Sequence, residues 1–340
     1  MIYYLSRNYR GLSSAGNKAK TDMEHIMANM SIKNAGLKQS TYNNKIWSFF
    51  MTLAGVLKAP FSLHKGDWLV LQYPLKKYFT HVCKMAHLRG AKVAVLIHDL
   101  GSFRRKALTI EQEINRLNHA NYIIAHNDRM KAWLEEHHCK AKIGTLEIFD
   151  YLSESQAKPK ASIKKPYSII YAGTLNPRKN AFLYEVGEHI QSFHINLYGD
   201  GFEIQKAKGN SCFHYMGFVQ SDNLITTSQG DFGLVWDGAS INTCSGNYGE
   251  YLQYNNPHKT SLYIRCGLPI IIWEKAALAK FVQKHQIGIC ISSLKELEHH
   301  LNRMTEEEYW KMYRNVQNIN TKIASGFYLQ KALLPIMHET

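Results

Sequence analysis

The chain has 340 residues, of which 45% are hydrophobic and 20% are charged, and its formal net charge is +14. This composition excludes an intrinsically disordered chain, and the length suits two domains of ordinary size. The six cysteines are scattered without a Cys-x-x-Cys pair, which predicts reduced thiols and excludes a disulfide framework or a zinc site of that pattern.

Strand-like and helix-like segments alternate through the first half of the chain. This alternation predicts a parallel sheet with helices on both faces. The predicted strands are residues 2–6, 68–72, 92–97 and 122–125. The predicted helices are residues 21–35, 77–89, 110–118 and 128–136.

The first sixty residues bear on membrane targeting. Residues 1–5 lack the basic region and long apolar run of a signal peptide. The apolar stretch 46–57 is shorter than the ~20 residues that span a bilayer. Its apolar side chains repeat at helical spacing, so we expect a core-facing helix in a soluble protein. The stripe consists of Ile46, Phe49, Phe50, Leu53 and Leu57.

The loop that follows the first predicted strand, residues 10–18, contains small and hydroxyl-bearing residues. Gly11, Ser13 and Gly16 suit the close approach of a sugar or a phosphate. An ordinary structural loop is the stronger reading, because two glycines in a loop are common. A role of these three residues in an acceptor or cleft loop is therefore the weaker of the two interpretations.

His98 and Asp99 follow the predicted strand 92–97. In parallel sheets, ligands bind at the carboxyl ends of strands, where a histidine or carboxylate can act as a general base. We therefore predict that Asp99 or His98 is a catalytic base or orients it. The alternative, of equal weight, is a structural histidine with Asp99 capping the next turn.

A polar run without apolar periodicity, residues 153–165, is followed by Pro166 and predicts an interdomain linker. A second alternating series begins beyond it, and the closing stretch 305–337 is mostly helical with a break near Gly326. The predicted strands of this second half are residues 167–171, 195–198, 213–215, 232–235, 269–273 and 288–291.

Loops after these strands carry further candidates. Gly173 permits close backbone approach, and Arg178 and Lys179 place two cations at the start of the next helix, where a diphosphate could bind. Asp237 follows the strand 232–235 and is interpreted either as a contact to a sugar hydroxyl or, with more weight, as a turn residue.

The most informative segment is residues 254–273, which reads as a turn, a short helix, a Gly-Leu-Pro turn and a buried strand. Pro257 is suited to a helix start. Lys259 stands in the first turn, where free N–H groups and the helix dipole favour an anion. The alternative is an ordinary helix–turn–strand unit with a surface lysine.

Several short segments occur in a fixed order along the chain. They are residues 65–74, 97–100, 176–179, 198–201, 231–236, 256–259 and 266–272. Their order and spacing resemble GT-B glycosyltransferases, in particular the bacterial glucosyltransferase 3-like group that includes β-1,6-galactofuranosyltransferases of surface polysaccharide synthesis. The resemblance spans most of the chain and is strongest between residues 228 and 273.

The resemblance implies two Rossmann-like doubly wound domains facing a cleft. The N-terminal, acceptor-side domain is expected at residues 1–155 and the nucleotide-sugar-binding domain at residues 166–312. Helices in residues 313–340 are expected to pack back on the N-terminal domain.

The resemblance also implies a UDP-sugar donor whose diphosphate is bound by Lys259. Arg178 or Lys179 is expected as a second cation, with the choice between them open. Asn176 and Gly173 are expected to line the same diphosphate site. Nucleotide or sugar contacts are expected from Gly217, Asp237, Tyr254, Asn256 and His258.

The implied reaction is an inverting transfer of a galactofuranosyl or glucosyl unit to a saccharide acceptor. The two glutamates eight positions apart that mark related retaining enzymes are absent near residues 251–261, and Lys259 stands where the later one is expected. No Asp-x-Asp motif occurs, so the enzyme is expected to need no metal and no cofactor. The alternative is an inactive nucleotide-sugar-binding homologue or an interaction subunit of a glycosyltransferase complex.

The basic charge allows three interpretations. Nucleic-acid binding is disfavoured because the cations are dispersed and no known module is present. A contact with an anionic membrane or a lipid-linked acceptor fits the dispersed charge better. The alternative is a soluble protein whose basic charge serves no particular partner. We expect a cytoplasmic protein. A peripheral position at the inner face of the membrane and assembly into a homo-oligomer are left open. A dinucleotide enzyme is disfavoured, because no Gly-x-Gly-x-x-Gly follows the first strand.

Overall fold

The computed structural model describes residues 1–10, 15–103 and 106–339. The chain forms two compact units. Unit 1 comprises Met1–Asp150 and Gly326–Thr340, and unit 2 comprises Tyr151–Ser325.

In the described residues, unit 1 contains one six-stranded sheet of order β2-β1-β3-β4-β5-β6, in which every strand pair is parallel. Its central strands are runs of Val, Ile and Leu that are buried along almost their whole length, as expected for a sheet covered on both faces. The strands are β1 (Ile2–Tyr4), β2 (Lys33–Asn34), β3 (Trp68–Tyr73), β4 (Lys92–Ile97), β5 (Tyr122–Ala125) and β6 (Lys142–Thr145).

Helices connect these strands, and polar caps define several of their ends. Asn44 accepts hydrogen bonds from the first turn of α2, and Thr109 forms a capping box with Gln112 at the start of α4. The helices are α1 (Ala15–Asn29), α2 (Lys45–Lys58), α3 (Phe79–Leu88), α4 (Ile110–Leu117) and α5 (Asp128–Glu136), with 3₁₀ turns at Ala59–Ser62 and Lys76–Tyr78.

Helix α2 forms where it is predicted, but its apolar stripe is not buried. Ile46, Phe49, Phe50 and Leu57 are all exposed. The opposite side of the helix packs on the unit, with Gly55 and Val56 buried and the Ser48 hydroxyl accepting a hydrogen bond from Asn8. The prediction of a core-facing stripe is therefore wrong. The covered side of the helix carries Ser48, Gly55 and Val56, and Leu53 of the predicted stripe is half-buried.

In the described residues, unit 2 also contains a six-stranded, all-parallel sheet, of order β12-β11-β10-β7-β8-β9. The strand order reverses between β7 and β10, which is the position where ligands bind in doubly wound sheets. The strands are β7 (Ser168–Ala172), β8 (His194–Tyr198), β9 (Phe213–Gly217), β10 (Phe232–Val235), β11 (Ile270–Trp273) and β12 (Gly288–Ile291).

The helices of unit 2 have between four and eight residues, apart from the last. They are α6 (Pro177–Asn180), α7 (Ser221–Thr227), α8 (Gly246–Tyr251), α9 (His258–Arg265), α10 (Ala279–His285), α11 (Leu297–Arg303) and α12 (Glu306–Ser325). The 3₁₀ turns lie at Ala181–Tyr184, Val186–His189, Ile204–Lys206, Asn210–Cys212 and Leu294–Glu296. No helix in the described ranges is both long enough and apolar enough to cross a bilayer.

The C-terminal helices belong to different units. Gly326, with φ of 78°, separates α12 in unit 2 from α13 (Phe327–Met337) in unit 1. The boundary predicted at residue 312 falls inside α12, because that helix is continuous. Helix α13 belongs to unit 1, where the Asp150 carboxylate accepts hydrogen bonds from the first N–H groups of the helix.

The segment predicted as a linker, residues 153–165, is part of unit 2. The Arg265 guanidinium donates to the carbonyl oxygens of Ser153 and Ser155 at 3.0 and 2.9 Å, and Lys160 is paired with Asp231. The chain changes units at Asp150 rather than within the polar run, because these contacts tie the run to unit 2.

Candidate functional site

Three glycines form the carboxyl edge of β7, β8 and β9. Gly173, Gly199 and Gly217 have φ angles of 135°, 142° and 70°, which L side chains rarely adopt. A side chain at Gly199 would place its Cβ 1.8 Å from the carbonyl oxygen of Gly173, whereas the space at Gly173 and Gly217 is open. At Gly173 and Gly217, which are two of the predicted contact positions, the edge of the sheet therefore presents backbone without a side chain.

Lys259 lies in the first turn of α9. Its side chain extends toward the position between β7 and β10 where the strand order of the sheet reverses. Its Nζ atom lies 3.0 Å from the Tyr171 hydroxyl and 3.0 Å from Asp237 Oδ1, and its side chain is only 11% exposed. It also lies over the Tyr171 ring, 4.2 Å from the centroid. Lys259 is therefore a nearly buried cation held by an anion and an aromatic face.

A second lysine shares the same carboxylate. Lys179 in α6 lies 3.5 Å from Asp237 Oδ1 and is 25% exposed, whereas its neighbour Arg178 is exposed. Asn176 caps this short helix by accepting from the Arg178 N–H at 2.9 Å. The structure thus brings Lys179 and Lys259 together and leaves Arg178 outside the cluster that Lys179, Asp237 and Lys259 form. We call this group the lysine cluster.

The charges of the lysine cluster are shaped by burial. Burial lowers the pKa of Lys259 to about 8, although the neighbouring Asp237 acts in the opposite direction. Burial also acts to raise the pKa of Asp237, but Lys179 and Lys259 outweigh it and hold that pKa below its ordinary value. With both lysines charged, the cluster carries one net positive charge, which is suited to an anion.

Asp237 is 5% exposed and its Oδ1 atom is occupied by Lys259 and the Tyr171 hydroxyl. The structure places it as the counter-ion of the two lysines, so its predicted contact to a sugar would have to use the remaining carboxylate oxygen. Its position follows from β10, because the strand ends at Val235 and turns the next residues toward β7.

The remaining predicted nucleotide contacts surround the start of α9. Pro257 is the N-cap residue and His258 stacks on Tyr151 with ring centroids 4.7 Å apart. Asn256 is buried and Tyr254 half-buried. Within the described part of the chain, the buried atoms Asn255 Oδ1 and Thr260 Oγ1 have no hydrogen-bond partner. Such atoms are costly to leave unsatisfied, and both are near Lys259 in sequence.

In unit 1, the predicted base candidates lie just beyond β4. His98 Nε2 is 2.6 Å from Gln72 Oε1, and the ring stacks on Phe149 at 5.3 Å. The Gln72 amide nitrogen faces acceptors, the Lys20 carbonyl among them, so Oε1 is assigned to accept from the His98 Nε2–H. Neutral His98 then has its lone pair on Nδ1. Both His98 and Asp99 are half-buried.

Sequence reasoning missed a buried carboxyl group behind His98. Glu24 is 1% exposed, accepts from the Ser6 hydroxyl at 2.6 Å and from the Tyr9 hydroxyl, and lies 3.4 Å from Gln72 Nε2. Burial raises its pKa to about 7. A glutamate between the apolar Met23 and Met27 of α1 was the available sequence signal. The group links the end of β1 to His98 through Gln72.

The described residues include only part of the predicted loop 10–18. Gly11 and Ser13 lie outside the described residues. Gly16 is in the first turn of α1, where it is exposed and has open space around its Cβ position. It is therefore a helical residue, because α1 begins earlier than the predicted helix. Among the residues that the structure describes, no three His, Cys, Asp or Glu side chains are placed to hold a metal ion.

Comparison with known proteins gives matches along the whole chain. The family models for the N-terminal and C-terminal domains of glucosyltransferase 3-like proteins match residues 2–148 and 169–336. The β-1,6-galactofuranosyltransferase WbbI of Escherichia coli K12 is 32% identical over 99% of both chains. Glucosyltransferase 3 of Streptococcus gordonii is 21% identical over 82% of this chain and 81% of its own.

Solved structures extend the likeness to the fold. Anabaena Alr3699/HepE, solved in complex with UDP, has a TM-score of 0.59 at 13% identity and covers 99% of this chain and 98% of its own. The apo form of the lipopolysaccharide outer core galactosyltransferase WaaB has a TM-score of 0.61 at 13% identity and covers 99% of both chains.

Proposed function

The chain belongs to the glucosyltransferase 3-like family of glycosyltransferases and has the GT-B fold, and from this we propose that it transfers a hexosyl unit from a UDP-sugar to a saccharide acceptor with inversion. The hexosyl unit is galactofuranosyl or glucosyl, the sugars named for its relatives. The product is a glycan of the bacterial surface polysaccharide type.

The observation that carries this proposal is the lysine cluster at the strand reversal of unit 2. Two lysines share one carboxylate at the edge of a doubly wound sheet, beside bare glycine backbone and the start of α9. A diphosphate would balance the net positive charge of the lysine cluster, and its oxygens can accept hydrogen bonds from the N–H groups at a helix start. Lys179 is therefore the second cation that we propose, in preference to Arg178.

The transfer we propose needs one proton acceptor and one stabilised leaving group. The acceptor hydroxyl oxygen forms the new bond to the anomeric carbon while its proton passes to His98 or Asp99. The bond from that carbon to the diphosphate breaks, and its electron pair leaves with UDP. The lysine cluster stabilises the charge that develops on UDP. Gln72 orients His98 in this scheme, with Glu24 behind it.

Cations in place of a metal support our proposal that the reaction needs no metal and no cofactor. Transfer rates that are unchanged by chelation with EDTA are the expected result. The cytoplasmic location remains a prediction, and a homo-oligomer remains an open alternative.

Nucleotide binding tests the donor site directly. In a thermal-shift series with UDP, GDP, dTDP and their sugars, we expect selective stabilisation by the uridine compounds. Lys179→Ala should weaken UDP binding about tenfold, as expected for the loss of a charge-assisted contact. Arg178→Ala is the matched control, one residue away, and should have a smaller effect. No shift with any nucleotide would contradict the donor site.

Turnover tests the catalytic half separately. If His98 or Asp99 is the base, His98→Ala or Asp99→Asn should reduce kcat by about 10² to 10⁴ while UDP affinity is kept. Rates within a few-fold of wild type for both variants would exclude both residues as the catalytic base. Uridine binding without turnover on any saccharide acceptor would instead indicate the inactive homologue.

A further inference from the structure

Helix α2 and its flanks form an exposed apolar surface on unit 1. Seven of the sixteen large hydrophobic side chains that are exposed in the described residues lie between positions 42 and 61, so the exposure is concentrated and not scattered. We call these residues the α2 face. They are Tyr42, Ile46, Trp47, Phe49, Phe50, Leu57 and Phe61.

The α2 face is displayed by a helix that is fixed on its other side. Asn44 caps its start, accepting from Ile46 N and Trp47 N at 2.9 and 3.2 Å. A methyl group added at Gly55 would lie 3.4 Å from the backbone nitrogen of Leu37, so the packed side is closely fitted. Five members of the α2 face, Ile46, Trp47, Phe49, Phe50 and Leu57, are therefore displayed by a structured helix. Tyr42 precedes this helix, and Phe61 lies in the 3₁₀ turn that follows it.

The segment of the chain that carries the α2 face has charge of almost entirely one sign. Residues 25–98 contain ten lysines and arginines and one acidic residue, Asp67, which is 5% exposed. Lys45 and Lys58 flank the helix and are exposed. Lys77 lies 4.9 Å from the Phe49 ring centroid, which places a cation directly on the face. Most of the net charge of the chain thus belongs to the part that carries the exposed apolar surface.

We propose that the α2 face docks on an anionic lipid bilayer. A short amphipathic helix with large apolar side chains on one face and lysines around it lies in the membrane interface, where the apolar groups enter the acyl boundary and the cations meet lipid phosphates. Trp47 and Tyr42 are of the type that is enriched at that depth. Lysine side chains can reach the headgroups while their stems cover apolar surface.

Charge disfavours a second copy of this chain as the occupant. A symmetric contact through the α2 face would bring Lys45, Lys58 and Lys77 of both copies together without exposed acids from residues 25–98 to compensate. Like charges at an interface oppose association. An anionic surface complements the same three lysines. The proposal goes beyond the transfer reaction and does not depend on it.

Vesicle flotation with the full-length chain tests the proposal without any nucleotide. We expect the protein to float with vesicles of phosphatidylcholine and phosphatidylglycerol, much less with phosphatidylcholine alone, and less as sodium chloride is raised. The double variant Trp47→Glu/Phe50→Glu should lower the bound fraction at least about tenfold, because both side chains are exposed and their apolar contact with lipid would be replaced by charge.

The matched control is Phe218→Glu in unit 2, because Phe218 is 53% and Phe50 55% exposed. This control should float like the wild type. Equal flotation of the wild type and the double variant, or no flotation of the wild type, overturns the proposal. Light scattering without vesicles reports the second-copy alternative. A mass that halves in the double variant, with unchanged flotation, would assign the α2 face to self-association instead.

Discussion

Lys259 is a cation whose charge varies within the ordinary assay range. Its side chain is nearly buried, and this burial lowers its pKa to about 8. The charged form therefore predominates below pH 8 and is lost as pH rises through that value. Asp237, whose pKa is held low, keeps its charge throughout. The net charge of the lysine cluster consequently falls by one unit across this range.

This titration predicts the pH dependence of donor binding. Between pH 7 and pH 9, UDP affinity should fall about tenfold, because at one pH unit above the pKa of about 8 only about one tenth of Lys259 is charged. Titration calorimetry at the two pH values measures the change. Lys259→Met should bind UDP weakly at both values and show little pH dependence. A Lys259→Met protein with the same slope as the wild type would assign the titration to another group.

At this scale the sequence indicated the cations but not their pairing. Lys179 and Lys259 were recognisable because each stands near the start of a helix. Their common counter-ion was not, since the contacts join residues 22 and 58 positions apart that only the sheet brings together. Glu24 was missed for the same reason. Its partner Ser6 follows β1 and its partner Gln72 lies in β3, and a single sequence does not state that these two strands are adjacent.

Among the elements, the predictable ones were those with strong hydrophobic runs. All six strands predicted in the second half occur within two residues of their predicted ends. The edge strands β2 and β6 were missed, because they are short and contain polar residues such as Lys33, Asn34 and Lys142. Helix α2 was predicted, but periodicity identifies an apolar stripe without stating which side of the helix is covered.

Asp150 is one of the residues that join α13 to the rest of unit 1. Its two carboxylate oxygens accept from Tyr328 N and Leu329 N at 3.1 and 2.7 Å, in place of a capping side chain that Gly326 does not have. Burial raises the pKa of Asp150 from 3.8 to about 7. The folded state therefore holds a proton that the unfolded state loses at lower pH.

Substitution of Asp150 should destabilise unit 1 in a way that depends on the replacement. Asp150→Ala leaves two buried N–H groups without acceptors and should lower the free energy of unfolding by about 1–3 kcal/mol. Asp150→Asn keeps one acceptor oxygen and should cost less. Because the folded pKa is raised, the contribution of Asp150 to stability should fall as pH rises from about 4 to 7.

Thermal unfolding at pH 5 and pH 7.5 checks these expectations. The difference between the two pH values should be smaller in Asp150→Asn than in the wild type, with the remainder due in part to Glu24, whose pKa is also raised to about 7. An Asp150→Ala protein as stable as the wild type would mean that water replaces the carboxylate at the start of α13.

For the whole molecule, the two units are of unlike construction. Unit 2 is one continuous stretch, Tyr151–Ser325, whereas unit 1 requires α13 in addition to Met1–Asp150. A Cβ at Gly326 would lie 2.7 Å from Ile26 of α1, which shows how closely the two parts of unit 1 meet. The units should therefore respond differently to loss of the last residues.

A chain that ends after Ser325 separates the two responses. It should lose amide-exchange protection in β3 and β4, because unit 1 is left without a packed helix, and it should keep UDP-dependent stabilisation of unit 2. Mass spectrometry of hydrogen–deuterium exchange with and without UDP measures both. The full-length chain is the reference. Equal loss of protection in β3 and in β10 would mean that the units unfold together.

Helix α13 also has a consequence for synthesis on the ribosome. Domains usually fold in the order in which they emerge, the N-terminal one first. Here the first 150 residues leave the exit tunnel without the segment that completes their packing, and unit 2 is fully synthesised before that segment appears. We expect unit 2 to fold first and the earlier-made unit 1 to wait in an incomplete state, with its apolar surfaces in need of chaperone protection for the time that the ribosome takes to translate the intervening 175 residues.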